Sequence, residues 1–237
     1  MNQTDQLTGV LNPQALAGIQ TRIAAAQARG KHAAGQVTLV AVTKTFPVET
    51  MISAYAGGLR TFGENRIQEA SAKLATFPHR DAIRMHLIGH LQSNKARPAM
   101  KLFDLIESVD SVKSLRRLDQ LAGELDRILP VYLQFNAGRD RAKFGFNPDH
   151  LPKVILEACD VDHIRVAGVM TIAPFTADDQ RLRDCFSAAR RIRDELQSRI
   201  PTCADLSMGM SGDFEVAVEE GATHVRIGRA LFGERPI

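Results

Sequence analysis

Residues 39–47 read LVAVTKTFP, an apolar run that ends in a lysine. Leu39 to Thr43 has the length and the β-branched content of a buried strand, and Pro47 closes the segment. An ammonium group is out of place beside Val40, Ala41 and Val42. Two readings are open for Lys44. It is an ordinary strand-end lysine that reaches solvent, or it sits at the C-terminal mouth of a parallel barrel, where such folds carry their chemistry.

On either side of this run, strand and helix patterns alternate. Ahead of it, Asn12 is placed to cap a helix with Pro13 at its first position, and QALAGIQTRIAAAQARG keeps helical spacing to Gly30. Beyond it, VETMISAYAGG (48–58) reads as a short helix stopped by Gly57 and Gly58, LRTFGEN (59–65) as strand two, ENRIQEASAKLATF (64–77) as helix and RMHLIGH (84–90) as strand three. NKARPAMKLF (94–103) is a short helix, LIESVD (105–110) strand four, SVKSLRRLDQLAGELDRI (111–128) a helix capped by Ser111, and PVYLQFN (130–136) strand five. DHLPKVILEAC (149–159) is helical, and IRVAGVMTI (164–172) is strand six. DDQRLRDCFSAARRIRDELQSRI (178–200) is a long helix, DLSMGMS (205–211) strand seven, GDFEVAVEEGA (212–222) a helix and HVRIG (224–228) strand eight. Eight strand–helix units predict an α/β fold, a (β/α)8 TIM barrel with an extra N-terminal helix. No linker or low-complexity segment interrupts the pattern, so residues 1–237 are expected to form one domain.

Composition narrows the function classes. With 44% hydrophobic residues the chain can bury a sizeable core, and 30 Lys and Arg against 27 Asp and Glu leave a net charge of only +3, which gives no electrostatic footprint for nucleic acid. The arginines at 181, 183, 190, 191, 193 and 199 alternate with acids, the pattern of a solvated helix face. Cys159, Cys185 and Cys203 have no CxxC spacing and read as buried or half-buried thiols of a reducing compartment. No signal peptide or membrane-length apolar run is present, so a cytoplasmic protein without a membrane partner is expected, and the Asn2-Gln3-Thr4 triplet carries no glycan there. His86 and His90 stand four apart, but on a strand rather than a helix and with no third ligand near, so no metal site is expected. Asn94, Lys95 and Arg97, just after strand three, are read either as an attraction for an anionic ligand or as a solvated loop.

In a barrel, an inward Lys44 brings Val42 and Val40 inward too, leaving the ammonium over an apolar floor that lowers its pKa and makes the amine nucleophilic. Other strand ends are polar: Gly63-Glu64-Asn65, Gly89-His90, Asn136, Met170-Thr171, SMGMSGD and Arg226-Ile227-Gly228-Arg229. Ser211 and Gly212 at a helix start, with the amides of Gly228 and Arg229 after strand eight, have the makings of an anion site. Singly, each is as well read as a cap serine or a turn glycine. Together, opposite a lysine, they point to a phosphorylated carbonyl ligand. Period-two alternation puts Arg226 and His224 on one face of strand eight. An arginine paired with an outer-helix carboxylate is the other reading of Arg226.

LVAVTKTFP, FGENRIQEA, HLIGHLQSNKAR, AKFGF, VAGVMTI and LSMGMSGDFEVAVEEGATHVRIGRALFG together resemble the pyridoxal-phosphate homeostasis proteins, single-domain relatives of the alanine racemase N-terminal barrel. The resemblance runs from about Leu39 to Gly233. It implies pyridoxal 5′-phosphate as cofactor, an internal aldimine on Lys44, phosphate contacts from Ser211 and the backbone of Gly228 and Arg229, and Arg226 facing the pyridine nitrogen. Asn65 and Met210 complete the candidate cofactor-binding set. The family often has serine at the position of Thr43 and a second lysine at that of Phe46, and some members have threonine at that of Arg229, so only the Arg229 amide carries over.

A guanidinium keeps its proton and leaves the ring a poor electron sink, which disfavours carbanion chemistry. The expectation is therefore a non-catalytic carrier that buffers the cofactor or hands it to apo-enzymes that depend on it, as a monomer. An amino-acid racemase is the alternative, and a phosphate-binding barrel without cofactor ranks last. Racemases of this barrel draw a second base, a tyrosine, from an additional β-domain, for which a sequence ending at Ile237 leaves no room. Tyr55 belongs to an outer helix, and Tyr132 lies about 13 Å below the rim at about 3.3 Å per residue.

Overall fold

The structure, a computed structural model, describes residues 9–176 and 178–234. Asn2-Gln3-Thr4 lies outside the described residues. Helix α1 (Pro13–Arg29) opens as its sequence predicts, with Asn12 Oδ1 accepting from the amides of Gln14 and Ala15 and Pro13 at the first position, where no amide is needed. Strand–helix units follow: β1 (Thr38–Val42), α2 (Val48–Ala56), β2 (Thr61–Glu64), α3 (Ile67–Leu74), β3 (Arg84–Leu87), α4 (Ala96–Leu102), β4 (Leu105–Val109) and α5 (Val112–Glu124), the last capped by Ser111. The second half comprises β5 (Leu129–Gln134), α6 (Leu151–Cys159), β6 (Ile164–Met170), α7 (Asp179–Arg199), β7 (Asp205–Ser207), α8 (Phe214–Glu219), β8 (His224–Ile227) and α9 (Arg229–Phe232). The eight strands pair in sequence order and close as a barrel, with β8 parallel to β1.

Lateral register sorts the two faces, because paired residues of parallel strands point the same way. Ala41 pairs with Phe62 and Phe62 with Met85, and all three pack with helix residues such as Met51, Leu118 and Phe186 in the main core, so this face is the outer one. The opposite face carries Val40, paired with Arg226, and Thr38, paired with His224. Inside the barrel, the apolar filling is a small cluster of Leu105, Tyr132, Ala167 and Met170. The remaining interior is polar, with Glu107, Ser207 and Arg226 all buried.

Four expectations need correction. β1 ends at Val42, so Lys44 lies in the turn beyond it rather than at its last residue. β7 stops at Ser207, because Gly209 takes φ 93° and packs so closely under α8 that a Cβ would come within 2.6 Å of Ala217 Cβ; α8 accordingly starts at Phe214, not at Gly212. The α7 arginines are not simply a solvated face. Arg183 reaches Glu219 at 2.5 Å and Glu220 at 3.4 Å, and Arg190 reaches Glu220, while Arg29 of α1 also meets Glu219, so three helices share one ion cluster. Finally, Cys185 and Cys203 are buried, which pushes their thiols up to about 11 and about 12, but Cys159 is exposed.

Candidate cofactor site at the barrel mouth

Lys44 sits half-buried in a turn closed by Phe46 N–H donating to the Thr43 carbonyl at 3.1 Å. Val42 faces inward, where a Cβ on Gly228 would meet it at 3.4 Å, and Thr43 faces outward, its hydroxyl donating to Glu64 Oε1 at 2.6 Å. Lys44 follows in the turn at the C-terminal end of β1, on the mouth of the barrel. Val42 pairs with Gly63, so Asn65 stands level with Lys44 on the neighbouring strand end. Asn65 lines a cavity on the rim between β2 and β3 with Arg66, Gln68, His90, Gln92 and Lys95. Of the loop after β3, then, Lys95 faces this cavity, whereas Arg97 turns away to Glu124.

Across the mouth, the loops after β7 and β8 are joined: Ser211 Oγ accepts from Ala230 N–H at 3.4 Å, which leaves its hydroxyl hydrogen to donate. Gly228 lies against β1, where a Cβ would come within 3.0 Å of the Val42 carbonyl oxygen. Among the described residues, the amides of Ser211, Gly212, Gly228 and Arg229 have no acceptor. Four open N–H groups and a hydroxyl suit a phosphate. The Arg229 side chain is turned outward, 71% exposed and 3.3 Å from Glu234, so only its amide is a candidate for the site. The Met210 amide donates to Asp213 Oδ1 at 2.5 Å, and its side chain is partly exposed on the rim.

Arg226 lies inside the barrel, 4% exposed, and its partner is not on an outer helix. Its Nη1 donates to Ser207 Oγ at 2.7 Å and its Nη2 to the Thr171 carbonyl at 2.8 Å. Ser207 Oγ donates in turn to Glu107 Oε2 at 2.6 Å, and Glu107 Oε1 is 2.7 Å from His86 Nδ1. Burial pushes the Glu107 carboxyl up, but His86, Arg226 and the Ser207 hydroxyl outweigh it and hold the group at about 2. Burial lowers Arg226, against the pull of Glu107 and Asp213. Below this layer Tyr132 OH donates to Asp205 Oδ2 at 2.9 Å and lies 3.4 Å from His224 Nε2; burial, with Glu107 and Asp205 nearby, raises the phenol far above its usual value. Tyr55, on α2, stacks against His79. Neither tyrosine is at the mouth.

Sequence reasoning missed Glu107 and Ser207 as partners of Arg226. The available signal was an acid within the apolar run LIESVD, on the two-residue period that makes a strand residue face the barrel interior. His86 and His90 are occupied by Glu107 and Asp110, and among the described residues no three metal-ligating side chains converge.

The family model for the alanine racemase N-terminal domain matches residues 16–236. A pyridoxal phosphate homeostasis protein of Aquifex aeolicus is 36% identical over 236 residues, covering 99% of both chains, and one of Pseudomonas aeruginosa is 41% identical over 214 residues, 89% of this chain and 90% of that one. The structure of PipY from Synechococcus elongatus with PLP bound superposes with a TM-score of 0.81 at 38% identity, covering 93% of this chain and 99% of that one. A Clostridium difficile alanine racemase shares the fold alone, with a TM-score of 0.76 at 15% identity over 96% of this chain and 58% of the racemase.

Proposed function

The chain belongs to the pyridoxal phosphate homeostasis protein family, built on the alanine racemase N-terminal barrel, and from that premise we propose that it binds pyridoxal 5′-phosphate at the barrel mouth, holds it as a Schiff base on Lys44, and buffers or delivers it without turning over a substrate. The observation that carries the reading is the convergence on one rim of Lys44, the open amides of Ser211, Gly212, Gly228 and Arg229, and the inward Arg226. These residues suit the group: a dianionic phosphate needs several N–H donors, and an aldehyde needs one primary amine within the same cavity. When bound, the cofactor would supply the aldehyde that a primary amine can hold as an imine. Lys44 would provide the amine, the loops after β7 and β8 would hold the phosphate, and Arg226, kept cationic by Glu107, would serve as a donor to the ring that does not give up its proton.

A carrier fits these residues better than a racemase. Proton exchange on both faces of an amino acid's α-carbon needs a second base opposite Lys44, and both tyrosines in the sequence are committed elsewhere, Tyr132 to a bond with Asp205 and Tyr55 to a stack on His79. The carrier works in the cytoplasm as a monomer, and apo-enzymes that depend on the cofactor are its recipients. Among the described residues no helix is long and apolar enough to cross a membrane. The deciding experiment mixes cofactor-charged protein with an apo-enzyme and, separately, with L-alanine. Time-dependent activation of the apo-enzyme without formation of D-alanine is expected. Racemisation proportional to protein concentration and lost in Lys44→Ala would reverse the choice.

A further inference from the structure

The two peptide groups that flank Lys44 are tied to one charged cluster outside the barrel wall, between β2 and α3. Lys73 Nζ, on α3, donates to the Thr43 carbonyl, to Glu64 Oε1 and to Glu69 Oε1, each at 2.7 Å. On the far side of Lys44, the Thr45 amide donates to the same Glu69 oxygen. Thr43 closes the circle through its hydroxyl bond to Glu64. All three ammonium hydrogens are thereby used, and Lys73 and Glu64 are 6% and 0% exposed.

Two features argue that this cluster does more than hold the wall together. Replacing a buried ion pair by apolar residues of similar volume often leaves a fold equally or more stable, so packing α3 on β2 does not call for one. Thr45, moreover, has φ 68°, a left-handed conformation that a β-branched residue resists, and it is held there by the Glu69 bond to its amide.

We propose that Lys73, Glu69 and Glu64 are positioning residues for Lys44: by locking the peptides on either side they fix the direction in which its side chain leaves the turn. The inference rests on Lys44 being the attachment point. In the step concerned, the neutral Nζ adds to the aldehyde carbon, a C=N bond replaces C=O, and the oxygen departs as water. A pre-aimed amine speeds this addition and does nothing for a ligand that has no aldehyde.

The test compares pyridoxal 5′-phosphate with pyridoxine 5′-phosphate, which keeps the ring and phosphate but has an alcohol instead of the aldehyde. Bond formation is followed by the visible absorption and by borohydride labelling of Lys44, and amide hydrogen exchange of Thr45 is read on the cofactor-free protein. In Glu69→Ala, Thr45 exchange should rise and bond formation should slow about tenfold or more, while pyridoxine 5′-phosphate affinity stays within about twofold. Glu69→Gln, whose amide oxygen still accepts from Thr45, should behave like wild type. Lys73→Met is the second variant, with the same split between ligands expected. Wild-type bond formation in both Glu69→Ala and Lys73→Met, or equal loss of both ligands, overturns the proposal. If wild type is labelled elsewhere than Lys44, the attachment reading falls and the positioning role with it; if wild type labels Lys44 and the variants match its rate, only the positioning role falls.

Discussion

Arg226 is held inside the barrel by hydrogen bonds to Ser207 and the Thr171 carbonyl, and Glu107 supplies the compensating charge 3.8 Å away. Removing that carboxylate strands a buried guanidinium, so Glu107→Ala should cost about 3–5 kcal/mol of stability, measurable by denaturant unfolding. The pH dependence comes from the same group. Glu107 is held at about 2 in the folded protein against an ordinary 4.5, so its contribution is complete above about 4.5 and is lost as pH falls toward about 2. At 1.36 kcal/mol per unit this amounts to about 3 kcal/mol, and Glu107→Gln should flatten that segment of a stability-against-pH profile. At the phosphate end, Ser211→Ala removes a hydroxyl donor to a charged acceptor, worth about 1.5–3 kcal/mol. Affinity for pyridoxal 5′-phosphate should fall about tenfold or more, and weak binding of pyridoxal should be unchanged. Equal loss of both ligands would leave Ser211 only its bond to Ala230.

The elements around the mouth differ in how openly the sequence declares them. Lys44 and Arg226 could be singled out as candidates because each lies on or just past a strand whose period of two is plain. The partners of Arg226 could not, since Glu107 and Ser207 are 100 residues apart and only barrel closure brings β4 and β7 to face each other. The same holds for Lys73, which on α3 alone reads as an ordinary helix lysine; its role depends on the packing of α3 against the ends of β1 and β2. α9 has four residues, too few for a helical period to appear, and β7 is cut short by a left-handed Gly209 that a strand pattern does not reveal. At Gly228 a single residue decides how two elements meet, because its missing side chain lets the start of α9 lie on the backbone of β1. Gly228→Val should push that turn outward and weaken phosphate-ester binding by about tenfold or more, whereas a plain turn glycine would lose stability without a ligand-specific effect.

Taken whole, the barrel encloses a polar interior within an apolar shell, and reagents should distinguish shell from surface. Native protein should expose one thiol, Cys159, to a water-soluble thiol reagent, with Cys185 and Cys203 reacting only on unfolding. Rapid reaction of all three in the native state would mean that the α7 packing and the loop after it open readily. The ion cluster ties α1, α7 and α8 together through Glu219, the last residue of α8. Lys44 is the proposed point of attachment for the cofactor. The decisive measurement charges the protein with pyridoxal 5′-phosphate, reduces it with borohydride, digests it and maps the product by mass spectrometry. The pyridoxyl label is expected on Lys44 and should be absent in Lys44→Ala, and a label on Lys95 or Lys143 instead would contradict the assignment.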